Sequence, residues 1–180
     1  MIDWLIRPAR AADLPLLGQL EDRAGQRFRE SAHPYCADLS HFDTVRLAQL
    51  SGSGTVWVAV DADDAPIGFA IAEARGSEGY LHELDVDTPH GRRGVGRALV
   101  RRVAEWARSA GFETLLLSTF RDVPWNAPYY ERLGFEIVPL DAYDDTMRAQ
   151  RQSDAAAGLR LESRVMMRAP LAKLLAPRVS

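Results

Sequence analysis

Gly91, Gly94 and Gly96 punctuate a turn that also carries Arg92, Arg93 and Arg97. Together, residues of these types can hold phosphate. The turn follows an alternating apolar stretch ending at Val86 and opens an amphipathic one, with Leu99, Val103, Trp106 and Ala110 at helical spacing. At a helix start the first amides lie outside the hydrogen-bond ladder, and the backbone dipole favours an anion. Guanidinium groups there oppose the dipole unless a polyanion offsets them. Gly111 is placed to cap the far end. The glycine order is G-x-x-G-x-G. The dinucleotide fingerprint has G-x-G-x-x-G, and the GK ending of a P-loop is absent. The plainer alternative is a glycine turn beside a solvated basic helix face.

A second constellation lies in TFRDVPWNAPYYERLGFE, residues 119–136. Asn126 reads as a helix N-cap with Pro128 in the first turn, and Gly134 as a C-cap before a strand opening at Phe135. Tyr130 sits inside that helix; a lone tyrosine there would ordinarily be read as packing between helix and sheet.

The surrounding elements follow from pattern. Trp4 to Arg7 reads as a short strand, and Asp13 as the cap of a helix from Leu14 that buries Leu14, Leu17, Leu20, Ala24 and Phe28. Residues 31–40 read as a loop. Ser40 and Asp43 resemble a capping box for a helix from His41 to Leu50, ended by SGSG at 51–54. Strands follow at Thr55 to Val60, Ile67 to Ala74 and Tyr80 to Val86, separated by turns at 61–66 and 75–79. After the arginine-rich helix comes a buried-type strand, Glu113 to Ser118. This order predicts an α/β chain with a mixed sheet and at least one crossover helix. Residues 141–158 read as a helical insertion, Leu159 to Met167 as a closing strand, and the last residues as a loose end.

Composition bounds the function. A chain of 180 residues can bury a substantial core as one domain, and 47% hydrophobic with 26% charged residues is ordinary for a globular protein. A net charge of −3 argues against nucleic acid as the main partner. Cys36 is the only cysteine, which excludes an internal disulfide and a cysteine-built metal site; it stands outside any Cys-His pattern. No apolar run approaches the ~20 residues that span a bilayer. The start, MIDWLIRPAR, lacks the apolar core of a signal peptide, so a cytoplasmic location is expected.

The stretch LHELDVDTPHGRRGVGRALV, residues 81–100, resembles the acetyl-CoA pyrophosphate loop of the GNAT (Gcn5-related) N-acetyltransferases. The family's motif is Arg or Gln, two residues, Gly, one residue, then Gly or Ala. Gly94 and Gly96 match it, while Gly91 stands where Arg or Gln is usual. YYERLGF, residues 129–135, is similar to the family segment that places a tyrosine after an asparagine near the pantetheine arm.

The resemblance implies one domain over residues 1–180: an α/β (α+β) fold with helices on both faces of a mixed, mostly antiparallel sheet. Two parallel strands of that sheet splay apart in a V. It implies transfer of an acetyl group from acetyl-CoA to a primary amine by direct attack, with no metal. Gly91, Arg92, Arg93, Gly94, Val95, Gly96 and Arg97 would hold the pyrophosphate. The backbone of Leu84, Asp85 and Val86, with Asn126, would bind the pantetheine. Tyr130 would be the acid for the departing thiolate.

The base would be His82 or Glu83. A histidine has a reference pKa of ~6.5, which suits the task, whereas a glutamate needs burial to reach it. Strand alternation puts Tyr80, His82, Leu84 and Val86 on one face and Leu81, Glu83 and Asp85 on the other, unless a bulge intervenes. The acceptor would be a small-molecule or peptide amine, with Glu21, Asp22, Glu30 and Asp38 available to neutralise it. Nucleic acid and membrane are not implied as partners; the 141–158 insertion would shape the acceptor pocket or a homodimer contact. Two other readings are a catalytically silent acetyl-CoA-binding or sensing module and an NAD or nucleotide binder. The glycine order opposes the latter.

Overall fold

The computed structural model describes residues 3–39 and 44–177. The capping box expected at Ser40 and Asp43, and the helix start expected at His41, lie outside these residues. Among the described residues, seven strands form one sheet in the hydrogen-bonded order β1-β2-β3-β4-β5-β7-β6. They are β1 (Leu5–Pro8), β2 (Val56–Val60), β3 (Pro66–Arg75), β4 (Glu78–Val86), β5 (Thr114–Phe120), β6 (Glu136–Ile137) and β7 (Arg164–Pro170). Contacts divide the chain into two compact units, Met1–Glu73 with Leu81–Trp106, and Ala74–Tyr80 with Ala107–Ser180.

The first unit carries helices α1 (Leu14–Gly25), α2 (Thr44–Gly52) and, as far as Trp106, α3 (Val95–Ser109). Val56, Val58 and Val60 of β2, with Phe69 and Ile71 of β3, meet Leu17 and Leu20 of α1 and Leu47 and Leu50 of α2. Alternation turns Trp57 the other way, where its ring lies 6.1 Å from that of Trp106 in α3. Helix α3 buries Val95, Leu99, Val100, Val103, Ala104 and Ala107. Ala110, expected on that face, follows the helix end and is exposed; Gly111 reverses the chain there at φ +87°.

Asp13 does not act as the expected cap. It holds helical dihedrals itself, and its buried carboxylate accepts from Arg7 at 2.7 and 3.0 Å and from the Arg10 amide at 2.6 Å.

In the second unit β5 pairs with β7 along its whole length. The parallel ladder of β4 with β5 registers Gly79 with Leu115 and Tyr80 with Leu116. Helices α4 (Ala127–Leu133), α5 (Asp145–Ala156) and α6 (Leu171–Leu175) belong here; α6 occupies the tail read from sequence as a loose end. Tyr80, Leu116, Val138, Tyr143, Met147 and Met166 form a core beneath α5. The segment around α5 is further held by a polar knot. Asp154, 4% exposed, accepts from Ser118 at 2.6 Å, Gln150 at 2.7 Å and Arg164 at 3.0 Å.

Strand β4 is longer by one residue than the length of β3 it faces. The turn expected over 75–79 is only two residues, Gly76 and Ser77, which sets Arg75 opposite Glu78. Further along, the Asp87 amide donates to the Ile67 carbonyl at 2.9 Å, setting that pair opposite. The step from Ile67 to Arg75 is eight residues and that from Glu78 to Asp87 is nine. A bulge in β4 absorbs the difference. The strict alternation expected along β4 therefore breaks within the candidate site.

Candidate active site

The glycine and arginine turn takes a tight path into α3. Thr88–His90 makes one tight turn, and the Gly91 amide is spent on the Thr88 carbonyl at 3.1 Å. Arg92 follows at φ +60° and Gly94 at φ +86°, both in the left-handed region that only glycine adopts without strain. A Cβ at Gly94 would meet no atom within 4 Å, so the backbone surface there is open. The ladder of α3 begins with the Ala98 amide on the Gly94 carbonyl at 3.1 Å. The amides of Val95, Gly96 and Arg97 precede that bond and form the positive end of a 15-residue helix. Arg92 and Arg97 are exposed around it. Arg93 is bound to Asp3 at 2.6 Å, so a phosphate would have to compete for it.

Strand β4 contributes the titratable groups of the first unit. His82 Nδ1 lies 3.1 Å from Glu73 Oε1 of β3, and Arg46 of α2 holds the other carboxylate oxygen at 2.7 Å. A neutral imidazole facing a carboxylate donates from that nitrogen, which leaves Nε2 as the basic atom. Asp85 is the most perturbed acid. Burial raises its pKa well above the ordinary carboxylate value, and the charges of Glu83 and of Glu21 on α1 add to the rise. Arg27 partly offsets it, while burial pulls Arg27 itself downward. Because of the bulge, His82 meets Glu73 and Asp85 senses Glu21, although simple alternation puts the two on opposite faces.

Of the four acids expected to meet a cationic acceptor, Glu21 lies in this group. Asp38 is paired with Arg29 at 2.6 Å, and Asp22 and Glu30 are exposed. Leu84 and Val86 are half-buried, and the Asp85 carbonyl sits against Gly68, where a Cβ would approach to 2.9 Å.

The raised pKa of Asp85 carries a stability consequence. The folded chain keeps this proton at pH values where the unfolded chain, with an aspartate pKa of ~3.9, has lost it. Stability therefore falls as pH rises from about 4 toward the folded value. Asp85→Asn removes that cost, so its melting temperature is expected to exceed the parent's at pH 7, by about 2–4 °C per kcal/mol relieved. The gain should shrink as pH approaches 4. Calorimetric scans across pH would check both points, and a destabilised Asp85→Asn at pH 7 would show that the charged form is the favoured one.

In the second unit, Asn126 stands at the start of α4. Its carbonyl accepts from the Tyr129 and Tyr130 amides at 2.8 and 3.0 Å, while its side chain makes no capping bond, contrary to expectation. The half-buried Tyr130 stacks edge-on with Tyr129 at 5.3 Å and with Phe135 at 5.6 Å. Gly134 closes the helix at φ +111°, which holds Phe135 under the tyrosine. Sequence reasoning passed over Glu73, Arg46 and Arg27. Their roles depend on neighbours between strands and helices, and only the interruption of the apolar run by Glu73 in β3 hints at one of them.

No helix among the described residues is long and apolar enough to cross a membrane. The family model described as Acetyltransferase (GNAT) family matches residues 18–135, nearly two-thirds of the chain. Among curated proteins, human (Homo sapiens) N-acetyltransferase 8 is 27% identical over 107 residues, spanning 56% of this chain and 46% of that protein. The chain thus spans about half the length of that relative.

Among solved structures, N-acetylglutamate synthase from Neisseria gonorrhoeae, complexed with coenzyme A and N-acetyl-glutamate, superposes with a TM-score of 0.71 at 18% identity. That match covers 95% of this chain and 36% of the other. PaiA N-acetyltransferase from Thermoplasma acidophilum, in complex with coenzyme A, gives 0.70 at 14% identity, covering 94% and 99%. At these identities the likeness is one of fold.

Proposed function

Because the chain belongs to the GNAT acetyltransferase family, we propose that it moves an acetyl group from acetyl-CoA onto a primary amine. The observation that carries this reading is the turn into α3. There an open glycine backbone, three leading amides and exposed Arg92 and Arg97 suit a pyrophosphate. The backbone of Leu84, Asp85 and Val86, with Asn126, would take the pantetheine. Acetyl-CoA, when bound, supplies an activated acyl carbonyl.

The chain's residues do the rest. An alkyl ammonium must lose a proton before it can attack. His82 takes it at Nε2, its ring fixed by Glu73, which Arg46 fixes in turn. Glu83 is the other base on the strand. Glu21, beside Glu83 and Asp85, gives the cationic acceptor an attractive field before deprotonation. Tyr130 gives its phenolic proton to the departing thiolate. The acceptor is a small-molecule or peptide amine, and the setting is cytoplasmic. The segment around α5 shapes the acceptor side or a homodimer contact.

The test is the melting temperature with acetyl-CoA, with NAD and ATP as controls. At ~100 times its dissociation constant a specific ligand adds ~2.7 kcal/mol. For a chain of this size that is a rise of roughly 5–11 °C. A rise with acetyl-CoA alone is expected. No rise with folded protein would overturn the reading, while a rise without turnover on any amine would favour a silent binding module.

A further inference from the structure

The second unit holds a cleft of about 280 Å³ lined by none of the residues assigned above to acetyl-CoA or to proton transfer. Its walls come from the segment between β6 and β7 together with the ends of β5 and β7. The floor is apolar, built from Val138, Leu161 and Val165, and Leu140 stands at the rim 61% exposed. The polar lining is cationic. Arg121, Arg151 and Arg164 all face the cleft, against the single carboxylate of Glu162. In a chain of net charge −3, that is a local reversal of sign.

The three guanidiniums are not equivalent. Arg164 is neutralised by Asp154 at 3.0 Å and is part of the framework. Arg151 spends one N–H on the Leu161 carbonyl at 3.1 Å, one of the five donors a guanidinium carries. Arg121 is exposed, but its backbone is fixed at the end of β5, where its amide donates to the Ser163 carbonyl at 2.8 Å.

We propose that this cleft binds a small amphipathic carboxylate, with its apolar body against Val138, Leu161 and Val165 and its carboxylate between Arg121 and Arg151. Guanidinium matches carboxylate in a two-pronged hydrogen bond, and low-dielectric walls strengthen that pairing. The cleft volume is near the lower end for organic-ligand sites, which suits a short alkyl or single-ring acid rather than a cofactor. The proposal does not depend on where acetyl-CoA binds, and its test reads binding alone.

The experiment is calorimetric titration of the full chain with hexanoate, and with acetate, 1-hexanol and hexylammonium as controls. Hexanoate is expected to bind saturably, with each control at least about tenfold weaker, because each lacks either the apolar body or the negative charge. Arg121→Gln and Arg151→Gln should each weaken hexanoate about tenfold while leaving the acetyl-CoA response of the melting temperature unchanged. Should Arg151→Gln fail to fold, the exposed Arg121→Gln decides alone. Absence of saturable hexanoate binding to folded protein would overturn the proposal. So would 1-hexanol or hexylammonium binding as tightly, or an affinity unaffected by Arg121→Gln.

Discussion

Tyr130→Phe is expected to lower the turnover number for acetyl transfer at least about a hundredfold, the size of a lost proton donor at a leaving group. The phenyl ring keeps the edge-on contacts with Tyr129 and Phe135, so the helix and its cap stay in place. The acetyl-CoA-induced rise in melting temperature should therefore match the parent's. Steady-state kinetics on whichever amine a screen returns would separate the two quantities. An unchanged turnover number would remove Tyr130 from the chemistry and leave it as packing. A fall in acetyl-CoA affinity, with turnover at saturation intact, would make it a binding residue instead.

Asp154→Ala is expected to cost about 3–5 kcal/mol, because it leaves the Arg164 guanidinium enclosed without its counter-charge. Arg164 is only 12% exposed at the side chain, and Ser118 and Gln150 lose the same acceptor. At about 2–4 °C per kcal/mol the melting temperature should drop by roughly 6–20 °C. The paired change Asp154→Leu with Arg164→Met should recover much of that loss, since a buried ion pair replaced by apolar groups of similar size is often neutral. A single variant as stable as the parent would mean that solvent reaches Arg164 and the knot adds little.

The parts of this protein legible in sequence are those set by local chemistry. The turn at Gly94, the Gly111 and Gly134 caps and the buried stripe of α3 follow from glycine freedom and helical spacing. The polar stretch 141–158 read as helical, but α5 starts only at Asp145, where the Asp144 side chain accepts from the Met147 amide. The Asp13 carboxylate was not, because an arginine six residues earlier in chain order outcompeted the helix amides. The knot around Asp154 was equally hidden: Ser118, Gln150 and Arg164 lie on three elements, and nothing in their spacing announces one shared acceptor. That Asp85 shares a face with His82 was invisible for a different reason. Alternation is a two-residue rule, and one added residue reverses it for everything beyond.

That added residue in β4 has a further meaning for how such a chain can change over generations. On the hairpin side, Tyr80 must satisfy the apolar packing beneath α5. Past the bulge the strand is released from that phase. Asp85 beyond it answers instead to Glu21 and Arg27. A lineage can therefore rewrite the half of the strand that holds Asp85 without renegotiating the half that holds Tyr80, because the segment is out of step with itself.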